Sequence, residues 1–190
     1  MGETMSRVRH IPSSELPARI ADVYERFAGG YGPFANQVAV FAHVPSAVTH
    51  LMGLLMELKS QKNVRWRYIE LAIVTASKLN ECHYCVRHHV EPLRIEGISD
   101  ETVERLPEFE SNDGLDDVDR VVVEYTIAVT LNPQRIPDRL FDRLRQHFSE
   151  AQIVELTLRT ALCGFFNRFN DALQIDDELE RHFPDQAGHV

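Results

Sequence analysis

The chain has 190 residues, a net charge of −9 and a pI near 5.4, which suits one domain, or a single domain built from two similar halves, with room for a buried core. Such an acidic surface repels a phosphate backbone, and no basic patch with interleaved aromatics is present, so nucleic acid is excluded as an expected partner. Residues 1–10 are polar, without the apolar stretch of a secretory signal, and no apolar run approaches the roughly 18 residues of a membrane span. The expectation is a cytoplasmic protein with no membrane contact.

In chain order, Ser14 precedes Glu15 and Leu16, and a helical pattern runs through Ile20, Val23 and Phe27 to Gly29-Gly30. Residues 36–42 fit a short helix. Pro45 opens an amphipathic segment with Val48, Leu51, Met52, Leu54, Leu55 and Leu58, closed by the polar break at 61–63. The next helix covers 65–79, with Ile69, Ala72, Ile73, Ala76 and Leu79 on one stripe. After a turn at Asn80-Glu81 a further helix runs from Cys82 to Ile95 and stops at Gly97. Ser99 caps a short helix.

The hydrophilic stretch 108–117 is the best linker candidate. Beyond it the spacing predicts helices over 118–131, 137–147 and 149 to about 180. Val121, Val122 and Val123 are β-branched but fall inside a helical period, and no useful strand alternation occurs. The chain is therefore read as all-α, one domain over 1–190. Its parts are an N-terminal extension (1–33), a motif-bearing half (34–108), a second helical half (118–180) and a tail (184–190).

One internal echo supports the two-halves reading. Glu70-Leu71-Ala72-Ile73-Val74-Thr75-Ala76 matches Glu155-Leu156-Thr157-Leu158-Arg159-Thr160-Ala161 at Glu, Leu, Thr and Ala. Twelve residues past Glu70 stands Cys82; twelve past Glu155 stands Asn167.

The chemistry concentrates between Glu70 and His89. Three cysteines are too few for a secreted disulfide scaffold, and Cys82-x-x-Cys85 without export signals points to redox work or metal. At about 100° per residue, Cys85 lies about 300° and His89 about 700° beyond Cys82, so the three share about 60° of one helix face. Cys85 and His89 form an i, i+4 pair within thiol–imidazole reach. Cys82 falls at or near the helix N-terminus, where the dipole favours thiolate. Glu70, on the preceding helix, faces the same site if the two helices pack antiparallel. These are the parts a dithiol catalyst needs: an attacking thiolate, a second thiol to resolve the sulfenic acid, a base, and a carboxylate to orient it.

This constellation resembles the alkyl hydroperoxidase D-like and carboxymuconolactone decarboxylase family, whose redox branch carries Glu-x11-Cys-x2-Cys-x3-His, met here by Glu70, Cys82, Cys85 and His89. The resemblance extends over roughly residues 34–175, through the Pro45 helix and the Asn167-Arg168-Phe169-Asn170 stretch. It implies an all-helical fold assembled as a trimer or hexamer, and a thiol (hydro)peroxidase or disulfide reductase with catalytic Glu70, Cys82, Cys85 and His89. It further implies a peroxide substrate and re-reduction by a thiol, dihydrolipoyl or thioredoxin-like partner; no cofactor is expected, and no metal, since no second ligand pair accompanies Cys82-x-x-Cys85. Redox members commonly carry a further His at the second position between the cysteines, which here is Tyr84, the His being His83. His89 favours Cys85 as the attacking thiol, with Cys82 resolving and facing the reductant.

Competing readings are a half-buried structural pair of cysteines, a zinc site built from the same four residues, a lyase of the decarboxylase branch acting on a small lactone acid, and a non-catalytic redox-sensing oligomer. His88, about 100° away from His89 on the helix, is expected to be solvated or at a subunit contact. Cys163, among Leu162, Phe165 and Phe166, is expected to be a buried core thiol. For Asn167, Arg168 and Asn170 a pocket and a helix surface are equally good readings.

Overall fold

The computed structural model describes residues 6–179, so the tail expected at 184–190 lies outside the described residues. The described residues form helices and turns with no strand, as the all-α reading expects. They divide into two compact units, one holding the residues up to Lys62 together with those from Asn170 onward, the other Asn63–Phe169.

In the first unit, α1 (Ala18–Gly30) packs on α2 (Ala35–Phe41) and on the segment opened by Pro45. That segment is not one regular helix. α3 (Pro45–Ala47) and α4 (Gly53–Gln61) are joined by a π-helical turn at Val48–Met52, which buries Val48 and Met52 completely. Phe27 stacks on Tyr31 at 4.7 Å and tilts against Phe34 at 6.4 Å.

The second unit is organised around α5 (Trp66–Leu79), every residue of which from Ile69 to Ser77 is buried. A helix apolar on all sides must be covered on all sides; α6 (His83–Ile95) and α8 (Asp117–Leu131) pack against it, and α9 (Asp138–Arg145) packs on α8. Leu71 and Val74 of α5, Leu93 of α6, Val122 and Val123 of α8, Leu144 of α9 and Leu156 of α10 (Glu150–Leu173) are fully buried in one core. The Val121–Val123 run is helical because its side chains fill that core.

Arg67 locks the three central helices together. Its guanidinium donates to both oxygens of buried Asp119 at 2.9 and 2.5 Å and to the Glu96 carbonyl at 2.8 Å. Asp119 also completes a capping box with Asp116 at the start of α8.

Two boundary expectations fail, each for a local reason. The stretch 108–117 is not a free linker. Asn112 is 1% exposed and donates to the Thr102 carbonyl at 2.9 Å, below α7 (Asp100–Glu104), while Arg120 caps the Phe109 carbonyl. The last helix ends at Leu173 rather than near 180, because Gln174 turns left-handed (φ 48°) and returns the Ile175 N–H to the Asn170 carbonyl.

Candidate functional site

All four motif residues lie in the second unit, on or beside α5 and α6. The hinge between these helices is a Schellman turn. The Cys82 N–H reaches back to the Ser77 carbonyl at 2.9 Å, and the Glu81 N–H to the Lys78 carbonyl at 3.1 Å, with Glu81 left-handed at φ 58°. The reversal runs α6 back along α5 and makes Cys82 the N-cap of α6, in extended conformation (φ −84°, ψ 93°). Cys85 falls in the first turn and His89 one turn further. The antiparallel packing expected from the sequence is thus realised by a turn whose left-handed residue is a glutamate.

The packing brings Glu70 to His89. His89 Nδ1 donates to Glu70 Oε2 at 2.8 Å, with Glu70 wholly buried and the imidazole largely so. A proton on Nδ1 held by a carboxylate leaves Nε2 as the basic face of the ring. The other carboxylate oxygen, Glu70 Oε1, is buried and makes no hydrogen bond. Both cysteines are thiols: Cys82 is 0% exposed and Cys85 4%. Cys82, expected to be the more exposed thiol, is thus fully buried in this structure. As zinc ligands the set offers two thiolates and one imidazole nitrogen, one short of a closed structural site, with Glu70 already spent on orienting His89.

The neighbours of the motif differ from the sequence expectations at two points. His88 is 2% exposed rather than solvated. Its ring stacks on Tyr84 one turn earlier, centroids 4.0 Å apart, and its Nδ1 donates to the Tyr84 carbonyl at 2.8 Å. Tyr84 is therefore committed to packing against His88, and His83 is exposed. Asn167 is not on a helix surface but 1% exposed, bonded to Ser77 and Asn80 across α5, whereas Arg168 is exposed and caps the Gly164 carbonyl of its own helix.

Cys163 is a buried thiol, as expected. Burial pushes it up to about 12 from an ordinary 9.0, with Cys82 and Glu70 adding in the same direction and hydrogen bonds from Ser77 and Asn167 opposing. Ser77 and Asn80 were not singled out by sequence reasoning. Their only signal is position, within five residues of Cys82 on the helix end and turn that deliver it.

Residues 43–111 match the model of the carboxymuconolactone decarboxylase family. Glu70 to His89 lie wholly inside that segment. The uncharacterized protein YdfG of Bacillus subtilis is 25% identical over 140 residues, 73% of this chain and 95% of its own. YnjA of Escherichia coli, likewise uncharacterized, is 23% identical over 169 residues, 86% of this chain and 91% of its own.

The fold is that of the alkylhydroperoxidase AhpD core. The crystal structure of an AhpD-core, peroxidase-related protein from Ralstonia eutropha superimposes with a TM-score of 0.78 at 20% identity, over 94% of this chain and 95% of that one. A protein from Agrobacterium tumefaciens, proposed there as an AhpD antioxidant-defence protein, gives 0.65 at 26% identity, over 72% and 94%. The debrominase Bmp8, solved as a cysteine-to-alanine variant with 2,3,4-tribromopyrrole, gives 0.73 at 20% identity, over 97% and 99%.

Proposed function

We propose that the chain is a dithiol oxidoreductase, a thiol-dependent hydroperoxidase or disulfide reductase working through Cys82 and Cys85. The observation that carries the reading is the buried 2.8 Å bond from His89 to Glu70, which orients an imidazole four residues beyond Cys85 on α6 and leaves its Nε2 as the basic nitrogen. A histidine oriented by a carboxylate beside a thiol at a helix N-terminus is an arrangement that makes and holds a thiolate.

In this reading the Cys85 thiolate attacks the distal oxygen of ROOH, forming Cys85–SOH and releasing RO⁻, which takes the proton held by His89 and leaves as ROH. The Cys82 thiol displaces water from the sulfenic acid, giving the Cys82–Cys85 disulfide. An external dithiol of the dihydrolipoyl or thioredoxin-like kind then reduces that disulfide and leaves as its own disulfide. The burial of both thiols suits a small peroxide, and some opening of the α5–α6 turn is required for a protein reductant. Homo-oligomerisation and a cytoplasmic location belong to the same proposal. Val154, Leu158 and Phe165, exposed by 66, 36 and 44%, line one face of α10 and offer apolar surface to another copy. No helix among the described residues is long and apolar enough to cross a membrane.

The test is direct. Reduced protein is treated with one equivalent of an alkyl hydroperoxide, and the thiols are mapped by alkylation and peptide mass. The expected result is loss of two thiols as a Cys82–Cys85 disulfide, return of both on adding a dithiol, and continued turnover with the two together. Retention of both thiols in the folded protein would sink the proposal. Because a debrominase shares this fold, bromopyrrole belongs in the same assay as an alternative two-electron acceptor, balanced as ArBr + 2 RSH → ArH + RSSR + HBr. Turnover of a lactone acid without thiol chemistry would instead favour the lyase reading.

A further inference from the structure

Beneath the Cys82 turn lies a run of hydrogen bonds that the proposed chemistry does not use. Asn80 Nδ2 donates to Asn167 Oδ1 at 2.8 Å, and Asn167 Nδ2 donates to Ser77 Oγ at 3.1 Å. Ser77 Oγ lies 3.3 Å from Cys163 Sγ, and Cys163 Sγ lies 3.5 Å from the Ile73 carbonyl. One orientation that satisfies the series runs from Asn80 to Asn167, to Ser77, to Cys163, to the backbone of α5, with the Cys163 thiol also 3.7 Å from Asn167 Oδ1. Ser77, Cys163 and Asn167 are 0, 5 and 1% exposed, and in a dry interior such a series strengthens itself and tolerates no missing member cheaply.

Its location gives it a purpose. Ser77 supplies the carbonyl that holds the Cys82 N–H, and Asn80 is the C-cap of α5, so α10 grips the Schellman turn on both sides of its crossing. The turn between them places a glutamate in the left-handed region, a conformation unfavourable to an L-residue that persists where surrounding structure imposes it. Asn167 is the member that touches both Ser77 and Asn80, from an element distant in sequence.

We infer that Asn167 is a positioning residue for the dithiol, clamping the 80–82 turn through Ser77 and Asn80 so that Cys82 is held ready to close a disulfide with Cys85. The inference rests on the dithiol reading above and adds the residue that sets the pair's redox poise. A clamped Cys82 has lost its freedom before the bond forms, which favours the disulfide. Freeing the turn makes that disulfide easier to reduce.

The measured quantity is the equilibrium constant of protein(SH)2 + GSSG ⇌ protein(S–S) + 2 GSH, by thiol trapping in glutathione buffers. Asn167→Ala is expected to lower it about tenfold, equivalent to about 30 mV for a two-electron couple. Asn80→Ala, at a half-buried position that folding tolerates more readily, is expected to lower it about threefold. Cys163→Ser, which keeps a donor and an acceptor in the series, is expected to stay within twofold. Leu144→Ala, a cavity in the core at a residue outside this hydrogen-bonded series, serves as the control for general destabilisation and is expected to leave the constant unchanged. If Asn80→Ala and any folded Asn167→Ala stay within twofold of the parent, or if Leu144→Ala shifts the constant as much as they do, the positioning role is overturned while the dithiol reading stands. If the parent forms no Cys82–Cys85 disulfide at any buffer ratio, the dithiol reading falls and the inference with it.

Discussion

The stretches beginning at Glu70 and Glu155 share Glu, Leu, Thr and Ala at matching places, yet the structure makes different things of them. Both glutamates are buried and both face a nitrogen base. Glu70 meets His89 on another helix, whereas Glu155 meets Arg159 one turn along its own helix, at 3.5 Å, with the guanidinium 5.6 Å from the Trp66 ring. An arginine stays charged at any working pH and holds its proton, so the second pair can bind charge but not move it. The larger difference comes twelve residues on. α5 breaks at Asn80-Glu81, so Cys82 begins a new helix with N–H groups unspent around it. α10 runs through to Leu173, so Asn167 sits mid-helix with its N–H used by the helix itself. A helix break supplies the electropositive end that a thiolate needs, and a continuous helix withholds it.

The sharpest way to break this contrast is to remove the thiols. Cys85→Ser is expected to cost at least about 10³-fold in peroxide turnover, because Cys82, the other thiol on that face, has Val86 and not a histidine four residues on to take its proton. Cys82→Ser is expected to leave one round of peroxide consumption but no disulfide, with Cys85 trapped as sulfenic acid by dimedone. Stable single-turnover disulfide in either variant, through Cys163, would show that the burial of the third thiol does not isolate it.

Next comes the carboxylate. Glu70→Gln keeps an acceptor for His89 Nδ1 but removes the charge that stabilises an imidazolium, and turnover is expected to fall by about 10²-fold or more. It also places an amide NH2 where Glu70 Oε1 now lies without a hydrogen bond, so urea unfolding is expected to show a loss of about 1–3 kcal/mol. The equivalent Glu155→Gln is expected to leave turnover unchanged. Equal kinetic losses at the two positions would dissolve the distinction between them.

Cys163 supplies a pH test of its own. Its folded-state pKa is pushed up to about 12 from 9.0, so the folded protein holds this proton more tightly than the unfolded chain. The resulting stability is fully present below about pH 9 and is lost as pH rises toward 12, at up to about 1.4 kcal/mol per pH unit. Cys163→Ser, which does not titrate there, is expected to flatten that alkaline decline in urea midpoints while leaving the midpoint below pH 8 nearly unchanged.

Much of this was legible in the sequence, and the parts that were not have a common cause. The helices declared themselves by apolar spacing, and the Glu70–His89 pairing followed from motif spacing once α5 and α6 were taken as antiparallel. Helix stops were legible where glycine marks them, as at Gly97. They were less legible at Lys62, Glu81 and Gln174, which turn left-handed without glycine and so carry no signal of the conformation. Polarity misled at Asn112, His88 and Asn167, all buried because each finds a partner in the fold: a Thr102 carbonyl, a Tyr84 carbonyl, and the Ser77–Asn80 pair. Those partners are up to 90 residues away in the chain, and nothing local to a polar residue reveals them.

The smallest expected effect probes the helix break itself. The two ends of α5 and α6 close with the same turn: at Gly97 (φ 88°) the N–H of Ile98 returns to Leu93 at 3.3 Å, and at Glu81 (φ 58°) that of Cys82 returns to Ser77 at 2.9 Å. One turn uses the residue that adopts the conformation freely and the other does not. Glu81 is exposed, so its side chain contributes little packing to offset the cost. Glu81→Gly removes a left-handed penalty of roughly 1–2 kcal/mol but gives the unfolded chain more freedom, and the net expectation is about 0.5–1 kcal/mol of added stability. The same change loosens the turn that carries Cys82. A gain in unfolding free energy accompanied by slower disulfide closure would show that the glutamate is kept for the dithiol and not for the fold. A loss of stability would mean that the left-handed turn is not strained, and the helix break would then owe its rigidity to Asn167 and its neighbours alone.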